Sequence, residues 1–197
     1  MSRLKYTSLC FISNNEHKHR EYCGLLGISD LKLWKITVTE PQSMNLETVT
    51  EEKVKRVRAS MPKGTPFFVE HTGLFIDGWN GLPGGLTALF MEKVGNDGMC
   101  KMLQSYVSID RTARAIVEIG YSHPDNTIHM FRGETIGTIA QEPRGENNFG
   151  WDPIFVPRGD DRTYAEMTQI EKDKTSMRRD AVRNFSQFLD ERFELIG

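Results

Sequence analysis

Apolar and polar positions along this chain fall into short blocks, each with the period of a strand or of a helix. Leu9 to Ile12 is an apolar run broken by the polar turn Ser13-Asn14-Asn15. A helical stretch from about Glu16 to Leu26 follows and meets Gly27, the residue best suited to the left-handed turn that ends a helix. Strand, polar turn and helix in that order open an α/β unit. Leu33 to Val38 alternates as a half-buried strand does, and a charged helix is expected from Val49 to Ser60, stopped by Met61-Pro62-Lys63-Gly64.

Phe67-Phe68-Val69 reads as a buried strand running straight into the polar stretch Glu70-His71-Thr72-Gly73. Gly78 to Gly85 is rich in glycine and reads as a loop; helices are expected from about Leu86 to Val94 and near Met99 to Tyr106. Strands at Ala113 to Tyr121 and Thr127 to Phe131 are joined by a turn at His123-Pro124-Asp125-Asn126, with a further strand from Thr135 to Ala140. A polar loop, Gln141 to Asp152, precedes Pro153-Ile154-Phe155-Val156-Pro157. The final helix is the clearest: Met177, Ala181, Phe185, Phe188, Leu189 and Phe193 recur at three- and four-residue intervals and share one face. No repeat or low-complexity linker interrupts the chain, so one α/β domain over residues 1–197 is expected.

Composition narrows the function more than the fold. The 197 residues are 38% hydrophobic and contain no run near the ~20 apolar residues of a membrane-spanning helix. No secretory cleavage pattern follows Met1. A net charge of −2 argues against general nucleic-acid binding but not against one small anion held by a few local cations. Cys10, Cys23 and Cys100 are odd in number and lack metal-site spacing, which fits reduced thiols and a cytoplasmic protein.

Three groups of residues carry candidate chemistry. Ser13-Asn14-Asn15, with Lys18 one turn into the helix, combines free backbone N–H groups, the positive helix end and a full charge, as a phosphate site needs; the same turn also serves as an ordinary helix cap. Glu40, Glu47, Glu70 and His71 offer hard oxygens for magnesium and an imidazole base, or else a solvated acidic patch. The loop from Glu142 to Pro153 sets Phe149 and Trp151 beside Asp152, which suits a flat heteroaromatic ring: an aromatic can stack on it and the carboxylate can accept from its N–H groups. Lys172, Lys174, Arg178 and Arg179 crowd the start of the last helix, where they meet either an anion or solvent.

These pieces stand in the order found in one family. The sequence resembles the inosine-triphosphate pyrophosphatases from Phe11 to about Phe185. Ser13-Asn14-Asn15-Glu16-His17-Lys18 is similar to their T-G-N-x-x-K loop, Glu70-His71-Thr72-Gly73-Leu74 to their E/D-D-S/T-x-L segment, and Asn80-Gly81-Leu82-Pro83-Gly84 to N-G-x-P-G. Pro143 to Phe155 is close to the strongest signature, and Thr163-Tyr164-Ala165-Glu166-Met167, Glu171-Lys172 and Ser176-Met177-Arg178 to the closing motif. The resemblance implies an elongated central mixed sheet with helical lobes and a nucleotide cleft between them. It implies hydrolysis of aberrant purine nucleoside triphosphates to monophosphate and pyrophosphate, assisted by Mg2+, in a homodimer.

By the same resemblance Ser13, Asn15, Lys18 and Lys172 contact the triphosphate, and Phe149 stacks on the base. Trp151, Asp152 and Arg178 read the base edge, Glu40 and Glu70 hold the metal, and Glu70, His71 and Lys18 form the catalytic set. The departures are specific. His71 stands where the family has an aspartate, Asn14 where it has glycine, Met177 where it has histidine and Asp173 where it has asparagine. They leave open a second reading, a nucleotide-binding sensor that has lost turnover.

Overall fold

A computed structural model describes residues 9–105, 109–147 and 149–194, with only the backbone of 193 and 194. The expected places of Tyr106, Asn148 and the Phe193 side chain therefore lie outside the described residues. The strands are β1 (Cys10–Ile12), β2 (Lys32–Trp34), β3 (Phe67–Ile76), β4 (Pro83–Gly84), β5 (Thr112–Ser122), β6 (Ile128–Ile139) and β7 (Phe155–Pro157). The helices are α1 (Glu16–Leu26), α2 (Leu46–Ser60), α3 (Thr87–Lys93), α4 (Gly95–Gln104), α5 (Gln169–Thr175) and α6 (Met177–Glu194). All seven strands form one mixed sheet in the order β2-β1-β3-β5-β6-β7, with β4 beside β3. β1 is parallel to β2 and β3, and the remaining pairings are antiparallel.

Local chemistry explains the boundaries. α1 starts because the Asn15 side chain accepts from the Lys18 N–H at 3.1 Å, and stops because Gly27, at φ 66°, turns its own N–H back on Cys23 and Gly24. α2 begins three residues earlier than its apolar pattern indicates, at Leu46, because Asn45 caps the Thr48 N–H. β2 is shorter than the alternation of Leu33 to Val38 indicates. Its partner β1 offers only three residues before the Ser13 turn, so the ladder ends at Trp34. The two strands expected over 127–131 and 135–140 are one continuous β6. The apolar pattern breaks at Gly133 because α6 lies directly on it, and a Cβ there would meet Met177 O and the Ala181 nitrogen. α5 was legible but unread: Thr168 and Glu171 form a reciprocal capping box.

The two sheet faces are covered differently. α1, α4 and α6 cover one face, where Phe185 packs against the rings of Phe68, Tyr121 and Phe131. α2 covers the other through Val54 and Val57, against Phe67 and Val69. The register leaves one gap that matters. β1 pairs with Phe67 and Phe68, and β4 with Leu74 and Phe75, so residues 69–73 of β3 have no strand along that edge. Among the described residues no helix is long and apolar enough to cross a membrane.

The contact at Gly133 yields a stability prediction. Gly133→Ala must push α6 off β6, at roughly 1–3 kcal/mol as for other overpacked cores. Gly24→Ala, inside α1 with nothing within 4 Å of the added carbon, should be neutral or mildly stabilising. Urea unfolding of both variants checks the contrast.

Candidate active site

The open edge of β3 is where the polar side chains collect, because it interrupts the sheet between two apolar walls. Successive strand residues point to opposite faces, so Glu70 and His71 serve different sides of the sheet. Glu70 lies on the α1 and α6 side with its side chain 1% exposed. It accepts from Tyr22 Oη at 2.7 Å, from Arg178 Nε and Nη2 at 3.0 Å each, and from Lys18 Nζ at 2.8 Å.

The network continues outward. Glu21 meets Arg178 Nη1 at 2.6 Å and Lys172 Nζ at 3.0 Å, and Lys172 reaches Asp152 Oδ2 at 2.6 Å. Glu21 Oε2, although this close to Arg178, has no well-aligned hydrogen bond. Lys18, Arg178 and Lys172 thus balance Glu70, Glu21 and Asp152 in one connected set. Burial alone would raise the Glu70 carboxyl, yet Arg178 and Lys18 hold it well below the ordinary range. Burial lowers the Lys18 ammonium against the pull of Glu70, and raises the Asp152 carboxyl against that of Lys172.

On the other face His71 sits between two acceptors. Its Nδ1 is 3.3 Å from Glu40 Oε2 and its Nε2 is 3.0 Å from the Gly85 carbonyl oxygen. A carboxylate and a carbonyl both accept, so both contacts are satisfied together only when both ring nitrogens carry hydrogen. The other Glu40 oxygen meets Lys53 Nζ at 2.7 Å. Burial opposes ionisation of Glu40, but the His71 hydrogen bond and Lys53 hold its pKa at about 2. Among the described residues no group of three or more His, Cys, Asp or Glu side chains is placed to hold a metal ion. Both oxygens of Glu40 and both of Glu70 are engaged by the protein's own donors. The two carboxylates therefore make no metal cage by themselves, and Glu47 stands exposed on the first turn of α2.

The phosphate-loop and ring-binding candidates share one cavity of about 580 Å³, whose walls include Asn15, Lys18, Phe149, Trp151, Asp152 and Arg178. Ser13, Lys172 and Glu70 stand behind that wall, bonded to Asn15, Asp152 and Lys18, whereas Glu40 and His71 are not among its lining residues. Ser13 Oγ accepts from the Asn15 N–H at 3.1 Å, and Asn14 turns away, donating to Thr37 Oγ1 at 3.0 Å. Trp151 is 8% exposed and packs edge-on against Phe155, so most of its ring belongs to the core. Phe149 is half-buried. Met177 is buried in the α6 stripe, as its spacing indicates. Sequence reasoning did not single out Glu21, Tyr22 or Lys53. Glu21 was within reach of it, because one helical turn after Lys18 it must lie on the same face.

An α/β sheet with a capped polar turn after its first strand, and an aromatic ring lining the same cavity as that turn, is an arrangement shared with known proteins. The Ham1 family matches residues 9–188. The chain is 38% identical over 186 residues to the dITP/XTP pyrophosphatase of Thermococcus kodakarensis, covering 93% of this chain and 97% of the relative. It is 35% identical to the inosine triphosphate pyrophosphatase of Candida glabrata, covering 93% and 97% of the two chains. The Staphylococcus aureus Ham1 protein superposes with a TM-score of 0.77 at 27% identity, covering 93% of this chain and 99% of the other. This chain belongs to the Ham1 family.

The buried network makes stability depend on acid. Glu70 and Glu40 titrate lower in the folded protein than their ordinary value of 4.5. Their contribution is therefore complete above that value and is lost as pH falls toward about 2, with Asp152 and Glu118, both raised by burial, softening the slope. Glu70→Gln leaves Lys18 and Arg178 without their shared anion and should cost about 3–5 kcal/mol at neutral pH. It should also flatten the acid limb. Urea midpoints from pH 3 to 7 in both proteins test this.

Proposed function

We propose that this protein hydrolyses purine nucleoside triphosphates of the inosine and xanthosine type to the monophosphate and pyrophosphate. The observation that carries the reading is one cavity lined by Asn15 and Lys18 together with Phe149, Asp152 and Arg178. The substrates named for the Thermococcus and Candida relatives support it. Ser13, Asn15 and Lys18 would bind the triphosphate, with Lys53 and Lys172 adding charge nearby. Phe149 would stack on the base while Asp152 and Arg178 meet its polar edge.

Tight neutralisation of Glu70 suits it to holding Lys18 and Arg178 in place better than to ligating a metal. Glu40, 30% exposed at its side chain, is the carboxylate that would help to hold magnesium, with the nucleotide's own oxygens completing the shell. When bound, the ion supplies charge neutralisation and Lewis acidity at the phosphates. His71, whose two nitrogens face acceptors, fits a donor that fixes Glu40 better than a neutral base. The same internal saturation of Glu40, Glu70 and His71 favours the second reading, a binding protein without turnover. A cytoplasmic homodimer completes the proposal, and light scattering on the eluting protein tests its stoichiometry.

Pyrophosphate release with magnesium and a panel of triphosphates decides between the readings. Inosine or xanthosine triphosphate should be turned over at least tenfold faster than ATP, and Lys18→Met should lower kcat/KM by about 100-fold. Nucleotide binding without release, with turnover gained in His71→Asp, would establish the sensor instead. Absence of both binding and release would sink both.

A further inference from the structure

His17 is a surface residue on the first turn of α1, yet its ring lies 5.2 Å from that of Phe149 with the planes only 26° apart. It is the only aromatic ring stacked on Phe149 among the described residues. Phe149 itself is half-buried and is carried by a largely exposed loop. The loop backbone is tied at Asp152 N to Phe149 O, 3.1 Å, and at Asn147 N to Ala165 O, 3.3 Å, but these bonds leave the side-chain torsions free. Lys172 Nζ, 5.2 Å from the Phe149 centroid, adds a cation but no plane.

The two rings also form a partition. Both line the 580 Å³ cavity, and both line a second cavity of about 250 Å³ reached past Arg20, Gln169 and Asp173. A flat ligand ring in the larger cavity needs a rigid surface, and the side of the partition away from it faces the second cavity. Lys18, the next residue, turns inward to Glu70. One helical turn thus carries Lys18 into the Glu70 network and His17 onto Phe149.

We propose that His17 is a positioning and specificity-determining residue that backs Phe149, holding its ring as a fixed platform for the purine base. The proposal deepens the nucleotide reading above and rests on it for the identity of the base. Offset ring pairs contribute enough to shift binding by about three- to tenfold. His17→Ala should therefore raise both KM for inosine triphosphate and Kd for its α,β-imido analogue by that factor, with kcat unchanged. His17→Phe, which keeps a ring, should restore both. Competition by inorganic tripolyphosphate, which has no base, should be the same in all three proteins.

A measurement without nucleotide separates this idea from the function itself. The mobility of the Phe149 ring, read by 13C relaxation in protein carrying labelled phenylalanine, should rise in His17→Ala and return to the wild-type level in His17→Phe, with melting temperatures unaltered. Unchanged ring mobility would overturn the proposal whatever the protein hydrolyses. So would a lower KM in His17→Ala, which would mean that the imidazole competes with the base for Phe149. Greater ring mobility in a protein that binds no nucleotide would sustain the positioning role and refute the nucleotide reading.

Discussion

One carboxylate, buried on a strand whose outer edge is left unpaired, organises the rest of the site. Glu70 has almost no contact with water and is kept ionised by two cations and a tyrosine hydroxyl that come from two different helices. A lone buried charge costs several kcal/mol, so the folded state must deliver Lys18 and Tyr22 on α1 and Arg178 on α6 to one point. That requirement fixes how both helices lie on the sheet. It also fixes Glu21, which closes the circuit to Lys172 and Asp152. The polar network and the apolar core thus specify the same arrangement: Phe185 seats α6 by packing, and Arg178 on the same helix seats it by charge.

The gap in the sheet is the geometric counterpart of that constraint. Had β1 continued beyond Ile12, its ladder would have covered the edge of β3 at residues 69–73. The Ser13 turn stops it, α1 starts at once under the Asn15 cap, and the exposed edge is left for side chains from α1, α6 and the segment before α2. The same gap lets Glu70 and His71, adjacent in sequence, present different chemistry to opposite faces. One meets a network of fixed cations, and the other is held between a carboxylate and a carbonyl.

The residues differ in how readily they could be read from sequence, and the reasons are physical. α1 was legible almost to the residue, and so was the buried face of α6, because capping and three-four spacing are local signals; the start of α6 was not, since Lys172 and Lys174 stand on the separate α5. β6 was not, since the glycine that divides its pattern is explained only by a helix arriving from 44 positions later in the chain, at Met177. The phosphate-loop and ring-binding candidates were legible as motifs and do share a cavity. The partners of Glu70 were not legible as partners: nothing in the spacing of Tyr22, Glu70 and Arg178 says that they touch. Lys53 was hidden among the ordinary charges of α2, and its contact with Glu40 depends on how the chain runs before that helix. Local chemistry survives in a sequence, while long-range pairing appears only when the sheet brings its edges together.

The balance of the buried network has a kinetic consequence. Lys18, Arg178 and Lys172 are matched one for one by Glu70, Glu21 and Asp152. Those six groups project little net potential beyond the cavity, so on the reading proposed above they would do little to steer a triphosphate at long range. Its hold would arise at contact, as its oxygens exchange with carboxylates for the same ammonium and guanidinium groups, and selectivity would be decided after arrival, in how readily each internal pair gives way.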